Sequence, residues 1–248
     1  MSSRVLHITD LHWHADPQFE LMGVNTRASL QAVLDHANCS EAAYDLILIT
    51  GDLTQDPSAT AYTDLCQLLD TLETPVHVLP GNHDSPELMQ QYLNSQWVST
   101  QAHFQISNWQ VLLLDSSQAN NDGGYLSDAQ LTFMKHTLAS NPQPCLLAVH
   151  HQPVPIGSAW LDTMQITNSG DLFQLMQNNK QVKALVWGHV HQAFADEFNE
   201  VMLIATPATC RQFLPGSDEF AIDPNKSAGY RELILHDNGE LETSIHWL

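Results

Sequence analysis

Five short clusters of carboxylate, imidazole and amide side chains occur along the chain, and each follows a short run of apolar residues. Carboxylate, imidazole and amide oxygen together are typical ligands of divalent metals such as Mn, Fe and Zn. Metal binding is therefore the chemistry that these residue types indicate first. The clusters are Asp10-Leu11-His12, Gly51-Asp52, Gly81-Asn82-His83-Asp84, His150-His151 and Gly188-His189-Val190-His191.

Spacing within the clusters favours the same interpretation. In an extended segment, residues two apart direct their side chains to the same side, as in D-x-H and H-x-H. The glycines at positions 51, 81 and 188 permit the sharp turn that ends a strand. A single such cluster is more often chance or ordinary packing, but five in order, each at a predicted strand end, favour one joint metal site.

The apolar runs before the clusters are short and rich in β-branched residues, which predicts buried strands of an α/β fold. Between them, apolar residues spaced by three and four predict helices. Ser127 is expected to cap a third helix in a capping box with Gln130, and Ser169 to cap a fourth. The predicted strands are 5–8, 46–49, 76–79, 111–114, 146–149 and 184–187, and the first two helices include 30–37 and 61–72.

From Gln192 onward the pattern changes to strand-like segments separated by turn signals, which predicts antiparallel additions to the sheets. Alternating strands and helices followed by such strands fit a layered α/β sandwich. We expect one domain over residues 1–248, with residues 207–229 forming a long loop near the site. The additional predicted strands are 193–198, 201–205, 231–236 and 241–245.

Composition limits the class of partner. The 248 residues include 8 Lys and Arg against 28 Asp and Glu, a formal charge of −20. Since long nucleic acids are held mainly by cationic side chains, such a substrate is not expected. The apolar runs are too short to predict a membrane span. Four widely spaced cysteines without a C-x-x-C pair favour reduced packing thiols in a cytoplasmic protein.

In this order, the motifs D-x-H, G-D, G-N-H-D, H and G-H-x-H resemble those of the calcineurin-like metallophosphoesterases. Further segments are similar to the bacterial 3′,5′-cyclic AMP phosphodiesterase branch of that family. The resemblance implies a sandwich of two mixed β-sheets flanked by helices. The segments similar to the branch are 23–26, 51–56, 157–162, 188–192 and 206–213, with the sequences GVNT, GDLTQD, GSAWLD, GHVHQ and TPATCRQF.

The resemblance also implies a centre of two metal ions that share one carboxylate. Iron with manganese is implied, although zinc, cobalt or two manganese ions suit the same ligands. A water shared between the ions would be acidified to hydroxide near neutral pH and would attack phosphorus in line. The implied ligands are Asp10, His12 and His191 for the first ion, Asn82, His150 and His189 for the second, and Asp52 as the bridge.

By the same resemblance, His83 is the catalytic residue that protonates or stabilises the departing 3′ oxygen, and Asp84 orients or charge-stabilises His83. The expected product from 3′,5′-cyclic AMP is 5′-AMP. Substrate contacts are expected from His12, Asp52, Asn82, His83 and His191.

Four residues outside the ligand set have two interpretations each. His151 either supports the metal ligands or touches substrate, or it points away from the site as adjacent strand residues do. Arg211 either contacts the nucleotide or forms a surface ion pair. Trp160 and Phe213 either stack on a nucleotide base or belong to the packing.

Hydrolysis of 3′,5′-cyclic AMP is the activity that the resemblance favours. A broader metal-dependent phosphodiesterase or phosphatase is the alternative, because the ligands alone do not distinguish one phosphate ester from another. A metal-bound binding module without turnover is disfavoured, since His83 accompanies every expected ligand. The sequence is compatible with both a monomer and a homodimer.

Overall fold

Strands and helices alternate along most of the chain in the computed structural model, which describes residues 2–39 and 42–248. The strands are β1 (Ser2–Ile8), β2 (Glu20–Leu21), β3 (Val24–Asn25), β4 (Leu46–Thr50), β5 (Val76–Leu79), β6 (Val98–Ser99), β7 (His103–Ile106), β8 (Trp109–Leu113), β9 (Cys145–Ala148), β10 (Val182–Trp187), β11 (Phe194–Phe198), β12 (Val201–Ala205), β13 (Gly229–His236) and β14 (Leu241–Trp247). The helices are α1 (Thr26–Asn38), α2 (Ala59–Asp70), α3 (Pro86–Tyr92), α4 (Asp128–Ser140), α5 (Ala159–Asp162) and α6 (Ser169–Gln177).

Two six-stranded sheets form the centre of the fold. Their strand orders are β14-β13-β1-β4-β5-β6 and β11-β12-β10-β9-β8-β7, and β2 pairs with β3 in a separate hairpin. Strands β1, β4, β5 and β6 are parallel, as are β8, β9, β10 and β12. Antiparallel strands form both edges of the second sheet and one edge of the first, whose other edge is the parallel strand β6. Both sheets are therefore mixed, as the sequence predicts.

The burial pattern explains how the sheets stack. Every residue of β4 is buried, and parallel strands covered on both faces appear as continuous apolar runs such as its LILIT sequence. Leu48 and Leu79 of the first sheet pack with Val111 and Leu146 of the second in a core between the sheets. Helices α1 to α3 cover the outer face of the first sheet, and α4 to α6 cover the second. The predicted layered sandwich is confirmed.

The helix starts agree with the prediction in part. Ser127 caps α4, because its hydroxyl accepts a hydrogen bond from the Gln130 amide. The Gln130 side chain, however, accepts from the Asp115 amide, so the predicted capping box is wrong. The N-cap of α6 is Asn168, one residue before Ser169, and the Asn168 amide bonds to the backbone of Leu126.

Two further expectations need correction. Strand β12 runs parallel to β10, so only its pairing with β11 is antiparallel as predicted. Helix α3 and the β2–β3 hairpin were not predicted, because a seven-residue helix and two-residue strands are too short for a periodic apolar pattern. Among the described residues, no helix has both the length and the apolar character that crossing a bilayer requires.

The positions of the strand ends explain where polar side chains can meet. The clusters at Asp10, Asp52 and Asn82 follow β1, β4 and β5, which are parallel neighbours in the first sheet. Those at His150 and His189 follow β9 and β10, which are parallel neighbours in the second. Parallel strands present their carboxyl ends at one edge of a sheet, where open α/β sheets bind ligands. The stacked sheets thus bring all five clusters to a common edge.

Candidate metal centre

An unusual backbone conformation marks this edge. Non-glycine residues with positive φ are uncommon because the β-carbon comes too close to a backbone carbonyl oxygen. Strained conformations of this kind concentrate at functional sites, where the surrounding structure holds them in place. Here they recur in three of the five clusters, at Asp10 (54°), His12 (45°), Asp52 (49°), His189 (63°) and His191 (46°).

Three of the predicted ligands meet on one side of the site. The Nε2 atoms of His12 and His191 lie 3.2 Å apart, and His191 Nε2 lies 3.4 Å from Asp10 Oδ1. His12 Nε2 is 3.8 Å from Asp52 Oδ2, which connects this group to the bridging position. All four side chains are buried. This grouping is the one that the family resemblance implies for a first metal ion.

The remaining predicted ligands form a second group around Asn82. Its Oδ1 lies 3.1 Å from both His150 Nε2 and His189 Nδ1. His150 Nε2 is also 3.3 Å from Asp52 Oδ1. One carboxylate, Asp52, therefore faces both groups with different oxygens. Oxygen and nitrogen donors in two groups joined by one carboxylate suit a pair of divalent cations.

Backbone carbonyls orient two of the imidazoles. His150 Nδ1 donates to Thr50 O at 2.8 Å, and His191 Nδ1 donates to Arg211 O at 2.7 Å. Because Nδ1 carries the proton in each neutral ring, the Nε2 lone pair is directed at the site, as metal-bound histidines require. His12 Nδ1 and His189 Nε2 are buried without a hydrogen-bond partner among the described residues.

Two histidines of the site have raised pKa values because buried carboxylates lie beside them. Burial lowers the pKa of His150, but the Asp52 carboxylate outweighs it and raises the pKa to about 9. Burial likewise opposes protonation of His191, and Asp10 raises its pKa well above the usual value. Burial, together with His191 and His83, instead lowers the pKa of His12 to about 4, although the Asp52 and Asp10 carboxylates oppose this shift. Two buried carboxylates thus recruit positive charge, which a metal ion can supply in place of protons.

Two glycines allow the close approach of these groups. Gly51 has a φ of 91°, and a β-carbon there would collide with the His150 ring. At Gly81 a β-carbon would collide with the Asp52 carboxylate and would lie 2.8 Å from His150 Nε2. Glycine is therefore required at both positions for the two groups of ligands to come together.

His83 lies beside the ligands, but the hydrogen bonds of Asp84, its expected partner, are made to other groups. Its amide donates to Asp52 Oδ1 at 3.0 Å, and its ring meets that of His12 edge to face at 5.1 Å. The Asp84 oxygens accept instead from backbone amides of the adjacent turns and from the Tyr62 hydroxyl. The Gln55 side chain forms a hydrogen bond with His83 Nδ1, with its Nε2 3.3 Å away. Asp84 thus shapes the two turns and does not contact the His83 ring.

His151 and Arg211, which the sequence left as possible substrate contacts, form hydrogen bonds outside the two ligand groups. His151 is buried with Nδ1 2.8 Å from Ser116 Oγ, and its ring packs 4.7 Å from the His189 ring. It therefore packs against the predicted ligand His189 and is not among the residues that line the cavity in front of the ligand groups. Arg211 Nε donates to Met22 O at 3.2 Å, so its guanidinium holds the β2–β3 hairpin. Arg211 meets the site through its carbonyl, which fixes His191.

A cavity of about 260 Å³ opens in front of the two ligand groups. Its polar end combines motif residues with Gln55, and its other end is largely apolar. The apolar residues come from the β2–β3 hairpin, from α5 and the turn after it, and from the segment between β12 and β13. The lining residues are His12, Leu21, Met22, Asp52, Gln55, Asn82, His83, Asp122, Trp160, Leu161, Met164, His189, His191 and Phe213.

Comparison with known proteins assigns the family. The model of the calcineurin-like phosphoesterases matches residues 3–193, which include all five clusters. The chain belongs to this family. Calcineurin-like phosphoesterases bind two metal ions, and the donor groups at the strand ends of this member are arranged accordingly.

Curated bacterial relatives extend the match to almost the whole chain. The 3′,5′-cyclic adenosine monophosphate phosphodiesterase CpdA of Haemophilus influenzae is 39% identical over 244 residues, which are 98% of this chain and 89% of that protein. CpdA of Escherichia coli K12 is 39% identical over 247 residues, 99% of this chain and 90% of the relative.

Solved structures share the fold at low identity. A dimetal phosphatase from Danio rerio superposes with a TM-score of 0.61 at 13% identity, and covers 94% of this chain and 95% of its own. GAP50 of Plasmodium superposes with a TM-score of 0.67 at 12% identity, over 99% and 84%. These likenesses support the layered sandwich and nothing more specific.

Two neighbours of this phosphoesterase site were not predicted. Gln55 follows β4 in the segment GDLTQD, but a glutamine in a turn has no signal of its own. Cys210 was expected to be a packing residue, yet its sulfur lies within 4.8 Å of ring nitrogens of His12 and His191. Both are positioned by contacts between segments far apart in the sequence, which no local pattern reveals.

Proposed function

We propose that this chain hydrolyses 3′,5′-cyclic AMP to 5′-AMP at a centre of two metal ions. One observation carries the proposal. The chain is 39% identical, almost from end to end, to enzymes named for this reaction, and six of its motif side chains line one cavity: His12, Asp52, Asn82, His83, His189 and His191. The net charge of −20 favours a small substrate over a long nucleic acid.

The proposed ligand sets follow the two groups around Asp52. Their donors fit a pair of cations, because ring nitrogens with free lone pairs and two carboxylates are buried together with little other neutralising charge. We propose iron with manganese, with zinc, cobalt or two manganese ions suited to the same donors. The ligands are Asp10, His12 and His191 for one ion, Asn82, His150 and His189 for the other, and Asp52 for both.

Bound there, the ions would supply an activated water as nucleophile and positive charge opposite the phosphoryl oxygens. The chain's own residues hold the ester in front of them. Five cavity side chains are proposed to contact the phosphate and the ribose: His12, Asp52, Asn82, His83 and His191.

His83 is proposed to assist departure of the 3′ oxygen, and Gln55 determines which ring nitrogen carries the proton. With Gln55 Nε2 donating to Nδ1, the neutral ring holds its proton on Nε2. In that state Nε2 can donate to the leaving oxygen.

We place the activity in the cytoplasm. All four cysteines are free thiols, and three of them are buried. Free thiols are stable in a reducing compartment. A small cyclic nucleotide is the proposed partner there, with neither a membrane nor a long nucleic acid required.

The decisive experiment is steady-state hydrolysis of 3′,5′-cyclic AMP by metal-reconstituted protein, with 5′-AMP identified as product. Asp52→Ala serves as the inactive control. Turnover that prefers 3′,5′-cyclic AMP over 2′,3′-cyclic AMP and p-nitrophenyl phosphate, and that disappears in the control, would establish the activity. Faster cleavage of the other esters would leave a broader phosphodiesterase or phosphatase. Metal binding without any turnover would leave a binding module.

A further inference from the structure

Two aromatic rings line the apolar end of the cavity, and a third ring contacts both of them. Phe213 lines it from the segment between β12 and β13, and Trp160 lines it from α5. Phe220 stands beside both, with ring centroids 5.3 Å from Phe213 and 5.4 Å from Trp160. Trp160 and Phe213 are themselves 5.1 Å apart. We call these three residues the aromatic corner.

The rings are steeply inclined to one another, which gives the corner its shape. The interplanar angles are 68° for Trp160 with Phe213, 76° for Trp160 with Phe220 and 68° for Phe213 with Phe220. The three rings therefore pack edge to face against one another. A flat ring can add to this group by stacking on an accessible face, and both stacked and edge-to-face contacts between aromatic rings are favourable.

The corner is continuous with the metal centre. One face of Phe213 stacks on His191, with ring centroids 4.2 Å apart and planes inclined by 13°. His191 is in turn 3.2 Å from His12 between their Nε2 atoms. A ligand held at the metal centre by its phosphate therefore has the aromatic corner directly beside it.

Exposure indicates that the corner is available to a ligand. Phe220 is 55% exposed, the highest value among the large hydrophobic side chains that the structure describes as exposed. Trp160 is partly exposed, whereas Phe213 is covered. An exposed aromatic ring at the rim of a cavity, next to a second accessible ring, is an arrangement that serves binding better than it serves stability.

We propose that the aromatic corner is the subsite for the purine base of the cyclic nucleotide. This inference rests on the proposed function, and it assigns the residues that recognise the base of the substrate. The base stacks on Trp160 or Phe220, which offer accessible faces, while Phe213 closes the corner and connects it to His191. Stacking tolerates different bases because each has a flat π-face, and a purine offers more area than a pyrimidine.

The test compares substrates that differ only in the base. Phe220→Ala and Trp160→Leu are assayed with 3′,5′-cyclic AMP and with the 3′,5′-cyclic phosphate of methyl riboside, which has the same diester and no base. The wild-type protein should show a lower KM for cyclic AMP. Each variant should raise that KM about 10-fold, within the range for loss of a stacking aromatic, and the KM ratio of the two substrates should approach one.

Leu248→Ala is the matched control, because Leu248 is an exposed hydrophobic residue that belongs neither to the cavity lining nor to the aromatic corner. It should leave both KM values as in the wild type. Phe220→Ala protects the test from misfolding, since more than half of that side chain is already exposed. A KM for cyclic AMP that stays constant in both variants, or that rises in parallel with the base-free substrate, would overturn the proposal.

Product binding separates this proposal from the proposed activity. Calorimetric titration of the metal-loaded protein with 5′-AMP and with ribose 5-phosphate needs no turnover. Tighter binding of 5′-AMP that is lost in Phe220→Ala supports the base subsite even if cyclic AMP is not hydrolysed. Equal affinities of the wild-type protein for the two compounds would refute the subsite even if cyclic AMP is hydrolysed.

Discussion

The Gln55 amide lies against the His83 ring, with 3.3 Å between Nε2 and Nδ1, in the position where the sequence suggested Asp84. We propose that Gln55 Nε2 donates to Nδ1 and so keeps the proton of the neutral ring on Nε2. Gln55→Ala should therefore lower kcat for cyclic AMP about 10-fold, compared with the 100-fold or larger loss expected for His83→Ala. Steady-state kinetics with metal-loaded variants measures both effects.

The leaving group provides the control for this prediction. Bis(p-nitrophenyl) phosphate releases a stable phenolate and needs little protonation, so Gln55→Ala should affect its turnover far less than that of cyclic AMP. In the His83→Ala background, Gln55→Ala should have no additional effect. Equal losses on both substrates, or full additivity with His83→Ala, would mean that Gln55 acts only on the structure. Gln31→Ala, at an exposed position in α1, controls for substitution itself.

Asp84 should be important for the stability of the site. Burial and the nearby Asp52 carboxylate raise the pKa of Asp84 to about 6, while its oxygens accept from Leu53 N, Gly81 N and Tyr62 Oη. In Asp84→Asn one oxygen becomes an NH2 group that faces donors. We expect about 2–4 kcal/mol of lost unfolding free energy, measured by chemical denaturation. A loss as small as that of the exposed Asp35→Asn would contradict this role.

Metal content should distinguish a shared ligand from a ligand of one ion. Asp52 faces both groups, whereas Asn82 Oδ1 lies 3.1 Å from His150 Nε2 and from His189 Nδ1, within the second group. Asp52→Ala should therefore lose both ions, and Asn82→Ala should retain about one per chain. Elemental analysis after gel filtration gives these ratios. Retention of two ions by Asp52→Ala would rule out the bridging assignment.

Much of this site could be predicted because its ligands are local signals. Each ligand stands within a few residues of the end of a buried apolar strand, so strand periodicity and motif order suffice to place Asp10, Asp52 and His150 at one edge. The parallel pairing of β1, β4 and β5 agrees with their largely buried apolar sequences. Local patterns of this kind also predicted the cap at Ser127.

The contacts that the sequence did not reveal are between distant segments. Phe220 lies 60 positions from Trp160, within a segment that has no strand or helix, so no periodic pattern indicates their contact. The hydrogen bonds that occupy Asp84 come from both the β4 and β5 turns. These contacts depend on how the loops pack against the two sheets, and only the three-dimensional structure shows that packing.

His7 should make the stability of the protein depend on acid. It is buried between the Thr50 and Thr206 hydroxyls, at 2.8 and 2.7 Å, and burial together with Arg231 lowers its pKa from 6.5 to about 3. Below pH 6.5 His7 becomes protonated in the unfolded chain but stays neutral in the folded chain until the pH approaches 3. The contribution of neutral His7 is therefore complete above pH 6.5 and is lost progressively as the pH falls towards 3.

His7→Gln should remove this slope while keeping hydrogen-bonding atoms between the two hydroxyls. Unfolding free energies of metal-free protein, measured from pH 7 to pH 4, should fall less steeply for the variant than for the wild type. Metal-free protein is used because acid also releases metal ions from histidine ligands. Exposed His136→Gln is the control, and its slope should match that of the wild type. Parallel curves for His7→Gln and the wild type would contradict the prediction.

Gly51 should tolerate no side chain, because its φ of 91° disfavours other residues and a β-carbon would collide with the His150 ring. Gly51→Ala should displace His150 from Asp52, lower metal content and reduce turnover about 100-fold or more. Gly170→Ala is the matched control, since Gly170 lies in α6 with open space around it and should gain about 0.4–1 kcal/mol. Full metal content and turnover in Gly51→Ala would show that the close approach of the β4 turn to His150 is not required to hold the ligands together.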